Sequence, residues 1–280
     1  MSDILKPINP VKPVAAYIGG KKQLSTRLAA LSSRVPHVTY AEPFIGMGGV
    51  FLRRQCVPKA EVINDISTDV ANLFRILQRH YVPLMDMLRF TFTSRREFER
   101  LKATDPLTLT DLERAVRFLY LQRCAYGGKV SGRNFGVSVA EPGRFDVTKL
   151  EPMLADLNER LSGVIIENLP YGEFIDRYDA PGTLFYCDPP YYGCERDYGP
   201  DVFSRDDFAA LAERFARLRG IFIMSLNDTP EVRSIFSAFD QEAVELSYTV
   251  GCGHKSVSEL IITPPGLALR PEPQGMLFSG

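Results

Sequence analysis

Thr183-Leu184-Phe185-Tyr186-Cys187 runs directly into Asp188-Pro189-Pro190-Tyr191. The first five residues read as a buried strand, so its C-terminal edge receives an acid, two rigid residues and an aromatic ring. In open α/β sheets that edge is where ligands bind. The prolines fix φ and have no backbone N–H, so no local turn claims the carbonyls of Asp188 and Pro189. A carboxylate and a carbonyl can each accept one N–H of a planar amine while the ring of Tyr191 stacks on its heterocycle. This chemistry suits an exocyclic amine on a nucleobase. A proline-rich turn with a packed tyrosine explains the isolated tetrapeptide equally well, so the residues around it must decide.

Short apolar runs at Val38–Ala41, Glu61–Ile63, Val164–Ile166, Leu184–Tyr186, Ile221–Met224 and Leu260–Ile262 alternate with amphipathic stretches. One of these, Ser204–Arg219, carries Ser204 as a helix N-cap with Asp207 in the first turn. The alternation predicts a mostly parallel sheet covered on both faces. Val244–Val250 and Glu259–Thr263, on either side of Gly251–Lys255, predict an antiparallel ending. Residues 81–147 break the alternation. Ser94–Ala103 and Thr110–Arg123 have helical patterns, and Gly127-Gly128, Gly132 and Gly136 follow. The segment is too long for an ordinary crossover and reads as an inserted, mainly helical lobe. The expected plan is a discontinuous core domain over 14–80 and 148–265, a lobe at 81–147, and flexible tails at 1–13 and 266–280.

Ala41-Glu42-Pro43-Phe44-Ile45-Gly46-Met47-Gly48-Gly49 follows the first of these strands and opens toward a helix. Its glycines let the backbone pass close to a ligand. A glycine loop alone also fits a dinucleotide, but GxGxxG is missing and Glu42 at the strand end suits a ligand ammonium better than a pyrophosphate. The next strand ends in Asn64-Asp65, where an acid receives ribose hydroxyls. Upstream, Tyr17-Ile18-Gly19-Gly20-Lys21 adds a ring, a tight turn and a cation for a carboxylate. Amino acid, ribose and adenine together describe S-adenosylmethionine.

With these motifs in this order, the chain resembles the Dam family of DNA adenine methyltransferases, of the alpha-type order. The matching residues are Tyr17–Lys21, the loop with Glu42, Phe44, Gly46 and Gly48, Asn64-Asp65-Ile66, the lobe, and Asp188–Tyr191; Lys255–Ile262 is similar to the family's closing strand. The resemblance covers roughly residues 14 to 265. It implies an α/β, Rossmann-like S-adenosylmethionine-dependent methyltransferase fold with a mixed sheet. It also implies that Tyr17, Lys21, Asp65 and Asp188 contact the cofactor, with Asp188, Pro189 and Tyr191 as the catalytic group. The expected reaction is methyl transfer to the N6 amine of a flipped adenine in a short specific sequence of double-stranded DNA. Cytosine N4 or an RNA base is the alternative acceptor, since the same grip fits any planar exocyclic amine, and a DNA-binding module without turnover is the non-enzymatic alternative.

Arg114, Arg117, Arg123, Lys129 and Arg133 fall between Arg114 and Ala140 with no acid among them. Phosphates need cations, and base edges need forked or amide donors. Arg123, Tyr126, Lys129, Arg133 and Asn134 are therefore the expected DNA contacts, with Arg133 as the guanine fork and Lys129 on a phosphate. A solvated basic helix face is the plainer explanation of such a run. The family's GATC readers often carry Tyr-Asn-Gly-Leu here, whereas this chain has Tyr126-Gly127-Gly128-Lys129, so the resemblance does not extend to the target sequence.

The 280 residues are 45% hydrophobic with a formal charge of −1. Such a chain can bury a full core, and a nucleic-acid partner needs a local patch. Cys56, Cys124, Cys187, Cys194 and Cys252 show no CxxC spacing, and the histidines (His37, His80, His254) are scattered. Neither a metal site nor a disulfide framework is expected. With no apolar leader or span, the expectation is a soluble cytoplasmic protein, monomeric or weakly dimeric.

Overall fold

The computed structural model describes residues 5–17, 24–136, 140, 142–195, 199, 202–250 and 253–269, with backbone alone at 247–250 and 253–256. In chain order the strands are β1 (Lys6–Pro7), β2 (Thr39–Glu42), β3 (Cys56–Val57), β4 (Ala60–Asn64), β5 (Ile165–Glu167), β6 (Thr183–Cys187), β7 (Ile221–Asn227), β8 (Asp240–Val250) and β9 (Gly253–Thr263). The main sheet has seven strands in the order β5-β4-β2-β6-β7-β9-β8. β5, β4, β2, β6 and β7 are parallel, and β9 returns antiparallel between β7 and β8. The hairpin is longer than its apolar pattern, because β9 begins at Gly253 and only Gly251-Cys252, outside the described residues, joins the strands.

The chain lays down β2, moves outward to β4 and β5, then returns to place β6 on the other side of β2. The strand order therefore reverses between β2 and β6, which opens a crevice above their C-terminal ends. Glu42 ends β2 and Asp188 follows β6, and Ala41 pairs with Phe185 across the junction. These two acids flank the crevice.

Side chains alternate between two cores, as a pleated sheet buried on both faces requires. Leu184 and Tyr186 of β6 enter one cluster, while Phe185 and Cys187 enter the other. The helices are α1 (Ser25–Arg34), α2 (Thr68–Arg79), α3 (Tyr81–Leu88), α4 (Arg95–Ala103), α5 (Asp111–Cys124), α6 (Val147–Arg160), α7 (Tyr171–Tyr178), α8 (Arg205–Ala216) and α9 (Pro230–Ile235). α5 starts with a reciprocal capping box between Thr110 and Glu113, and α8 with one between Ser204 and Asp207. Each satisfies N-terminal donors that a helix leaves open. The segment 81–147 is mainly helical; α3 and α4 each pack on α5, and α3 and α5 pack on α2. Leu84, Phe98, Phe118 and Leu121 join the same cluster as Tyr40 of β2 and Ile63 of β4, so the segment shares its core with the sheet.

The N-terminal stretch differs from the expected flexible tail. β1 pairs antiparallel with β3, and Val11 N–H donates to the Leu52 carbonyl at 2.8 Å. Two residues are too short a strand to leave a periodic signal, and Pro7 is tolerated because β1 is an edge. No helix among the described residues is long and apolar enough to cross a membrane.

A charged cluster lies inside the core. Arg54 is fully buried and meets Glu61 at 2.5 Å, while Arg160 forks onto the same carboxylate at 2.6 and 2.8 Å. His37 Nδ1 bonds the Val35 carbonyl at 2.7 Å and its Nε2 faces Arg54 at 3.1 Å. A neutral ring protonated on Nδ1 satisfies both contacts. The Arg54 guanidinium also lies 3.7 Å over the ring of Tyr40.

Candidate active site

A cavity of about 1170 Å³ occupies the crevice at the strand ends. Tyr17, Glu42, Phe44, Gly46, Asp65 and Asp188 all line it. The sheet order gathers Glu42, Asp65 and Asp188, and Tyr17 reaches them from the segment before α1. Pro190 also lines the cavity, whereas Pro189 and Tyr191 do not. Lys21 lies outside the described residues. Among the described residues no group of three or more His, Cys, Asp or Glu gathers as metal ligands.

The glycine loop is shaped by conformation as well as space. Gly46 (φ 50°) and Gly48 (φ 75°) are in the left-handed region, where a side chain is strained. A Cβ at Gly46 would meet the Tyr17 ring at 2.9 Å. Its N–H donates to Asp65 Oδ2 at 2.9 Å, and Ser67 N–H donates to Oδ1 at 2.9 Å. Asp65 thus ties the loop to the start of α2. Burial outweighs these two donors and lifts its carboxyl to about 6. Each carboxylate oxygen keeps acceptor capacity beyond one bond.

Glu42 is 1% exposed. The Tyr40 hydroxyl donates to its Oε2 at 2.7 Å, and no ion pair reaches it among the described residues. Burial pushes its pKa well above the usual carboxylate range, and the neighbouring charge of Asp188 adds to the rise. Glu42 thus faces the cavity as a buried acid with no ion-pair partner among the described residues, a charge that a ligand ammonium would balance. Phe44 is half-buried and packs against Tyr171 and Phe203, at 5.5 and 6.0 Å between ring centroids. Two buried acids, an aromatic wall and a glycine cradle are therefore groups that the hydroxyls, ammonium and adenine of S-adenosylmethionine would fit. The volume exceeds the roughly 300–1,000 Å³ of pockets for drug-sized ligands, leaving room beside the cofactor for a planar base.

Several residues build the site through contacts that no motif announces. Asn64 is buried at the end of β4, and its Nδ2 donates to the carbonyls of Pro43 and Leu169, both at 3.0 Å. Leu169 N–H returns a bond to its Oδ1 at 2.8 Å. One amide therefore fixes two walls of the cavity to each other. Behind Asp188, Ser225 Oγ bonds Oδ1 at 3.4 Å and the Tyr186 hydroxyl at 2.7 Å. The Tyr191 hydroxyl reaches Glu259 on β9. Asn64 adjoins a recognised acid and was the one legible candidate; Ser225 and Glu259 depend on strand pairing.

The expected DNA contacts divide in two. Tyr126, Lys129 and Asn134 are exposed in a small loop after α5, closed by the Ala125–Phe135 bridge and by Tyr126 N–H on the Asn134 carbonyl at 2.9 Å. Arg123 and Arg133 turn inward. Arg123 donates to the Val14 and Arg144 carbonyls at 2.9 and 3.0 Å. Arg133 donates to the Lys129 carbonyl at 3.1 Å and Gln122 Oε1 at 3.2 Å, and it lines the cavity. An outward guanine fork is the expectation; here the Nε and Nη2 of its guanidinium have internal partners. Gln122 in turn donates to the Ala16 and Gly128 carbonyls at 2.8 and 2.6 Å, joining the loop to the segment that carries Tyr17.

A parallel sheet closed by an antiparallel β9, with its cavity at the β2–β6 reversal, is the Rossmann-like fold of S-adenosylmethionine-dependent methyltransferases. Residues 17–250 match the D12 class N6 adenine-specific DNA methyltransferase family, and the chain belongs to it. The chain is 26% identical to the type II methyltransferase M1.LlaDCHI of Lactococcus lactis subsp. cremoris, over 91% of this chain and 96% of that one. It is 25% identical to the retron Ec67 DNA adenine methylase of Escherichia coli, over 89% and 90% of the two chains. Against the DNA adenine methylase of Escherichia coli K12 the identity is 25%, over 81% and 86%. The activity is S-adenosylmethionine-dependent methylation of adenine N6 in DNA.

Proposed function

We propose that Asp188, the Pro189 carbonyl and Tyr191 form the grip on the target adenine. The supporting observation is that Asp188 stands at the cavity where the strand order reverses, beside Glu42 and within one lining with Asp65 and Tyr17. Adenine's N6 lone pair is delocalised into the ring and is a poor nucleophile. Asp188 and the Pro189 carbonyl accept its two N–H bonds and hold the nitrogen in line, and positioning of this kind supplies much of a barrier reduction. Inside a duplex the nitrogen is out of reach, so the base flips from double-stranded DNA and stacks on Tyr191. S-adenosylmethionine, when bound, supplies the electrophilic methyl group. Asp65 takes the ribose hydroxyls, Glu42 the ammonium and Lys21 the carboxylate, while Tyr17, Phe44, Gly46 and Gly48 shape the walls.

Calorimetry with S-adenosylhomocysteine tests this assignment. Asp65→Ala will weaken binding by about 1–3 kcal/mol, the penalty for lost hydrogen bonds to a charged group. Hydroxyls donate to the ionised carboxylate, so wild-type affinity will rise as pH climbs through about 6, and Asp65→Asn will flatten that rise. Stability runs the other way. The raised carboxyl favours the protonated folded state, so its contribution is full below the unfolded value of about 3.9 and is lost as pH rises through the folded one. Unchanged affinity in Asp65→Ala would put the ribose elsewhere.

For the lobe, we propose that the exposed Tyr126, Lys129 and Asn134 meet DNA, while Arg123 and Arg133 brace the loop behind them. Lys129→Ala will weaken binding to all sequences alike and flatten the salt dependence. Asn134→Ala will cost roughly 1–3 kcal/mol at one base position, because an amide can bond an adenine edge at two points. Competition with single-base-substituted duplexes at two salt concentrations separates these outcomes. A uniform loss in Asn134→Ala removes it from base reading.

A further inference from the structure

Tyr191 carries rotatable side-chain torsions, and a proline-rich loop does not fix them. Its hydroxyl donates to Glu259 Oε1, a carboxylate only 1% exposed on β9. Glu259 stands opposite Asn227 in the antiparallel β7–β9 pair. Asn227 holds the next loop residue by its main chain. Tyr192 N–H donates to Asn227 Oδ1 at 2.8 Å, and Asn227 Nδ2 donates back to the Tyr192 carbonyl at 3.0 Å. One cross-strand pair thus grips two successive tyrosines, the first by its hydroxyl and the second by its backbone.

The pair is itself braced. Asp228 receives the Arg233 fork at 2.6 and 2.8 Å and the Ser258 hydroxyl at 2.9 Å. Its N–H donates to the Ser258 carbonyl at 3.1 Å. The strand end that carries Glu259 is therefore pinned from the adjacent residue. A buried carboxylate is costly unless hydrogen-bonded, and Leu260, Ile261 and Ile262 follow it as ordinary core residues. Stability alone would favour another apolar side chain at this position.

We propose that Glu259 is a positioning residue for methyl transfer, setting the plane of the Tyr191 ring on which the target base stacks, with Asn227 fixing the loop beneath it. The proposal rests on the assignment of Tyr191 as the stacking platform. Turnover is measured with tritiated S-adenosylmethionine on DNA free of N6-methyladenine, and cofactor-site affinity by calorimetry with S-adenosylhomocysteine. Glu259→Leu will lower kcat roughly ten- to a hundredfold, the rate equivalent of one hydrogen bond to a charged group, with affinity unchanged. Tyr191→Phe, which removes only the hydroxyl, will give the same loss, and adding Glu259→Leu to it will lower kcat no further. Glu259→Gln keeps an acceptor oxygen and will restore most of the rate. Should Glu259→Leu fail to fold, Tyr191→Phe and Glu259→Gln carry the test.

Wild-type turnover in Tyr191→Phe, or a Glu259→Leu loss undiminished in that background, overturns the proposal. Tyr191→Ala separates it from its premise. An active alanine variant removes the stacking platform itself, whereas an inactive one beside a fully active phenylalanine variant removes only the anchor.

Discussion

Asp188→Ala will reduce methyl transfer by on the order of 10²–10³-fold or more, the scale seen when one preorganised polar contact to a reacting centre is removed. The carboxylate is positioned by Ser225, which is itself bonded to Tyr186, so its orientation is set before any ligand arrives. DNA binding, read by fluorescence anisotropy, will remain largely intact, because Tyr126, Lys129 and Asn134, the residues proposed to meet DNA, belong to another element. Asp188→Asn keeps the size and one acceptor oxygen but loses the charge; it will fall between wild type and alanine. Near-normal turnover in Asp188→Ala would mean that the amine is held elsewhere in the cavity.

The largest stability effect will come from Glu61→Ala. The substitution strands two buried guanidinium groups, Arg54 and Arg160, that share this one carboxylate. Removing one partner of a buried ion pair costs about 3–5 kcal/mol, which corresponds to a fall in Tm of roughly 6–20 °C at about 2–4 °C per kcal/mol. Denaturant unfolding will read the loss directly. A change below about 1 kcal/mol would show that the two arginines find water or other partners. The effect will also reach the cavity, since Arg54 lies against Tyr40 and the Tyr40 hydroxyl holds Glu42. Cofactor affinity in Glu61→Ala will fall even below the unfolding transition.

Much of this architecture was readable where the chemistry is local. The strands of the main sheet announced themselves as apolar runs, and Asp188-Pro189-Pro190-Tyr191 and the Gly46–Gly49 loop each carry their meaning within a few residues. Their placement at strand ends followed from the same pattern. What was hidden depends on partners far along the chain. Asn64 finds Leu169, Glu61 finds Arg160, and Tyr191 finds Glu259 only once the sheet order is known. Arg133 shows the converse. A glycine-flanked arginine in a basic stretch reads as an outward fork, yet Gln122 and the Phe118 ring, 5.5 Å from its guanidinium, draw it inward. Composition does not reveal which way a long side chain turns when a loop folds back on its own helix.

The shared core of the lobe and the sheet bears on how such enzymes diversify. α5 buries Ala115, Phe118, Leu119, Tyr120, Leu121 and Cys124 against the rest of the molecule, so transplanting the lobe from a relative would require remodelling its packing. The stretch from Tyr126 to Asn134 is different. It is closed by its own short bridge and offers Tyr126, Lys129 and Asn134 to solvent, while Gly128 and Arg133 tie it to Gln122. Under the DNA-contact role proposed for Tyr126, Lys129 and Asn134, new target preferences can accumulate at these three exposed positions while the scaffold and the chemistry are inherited intact.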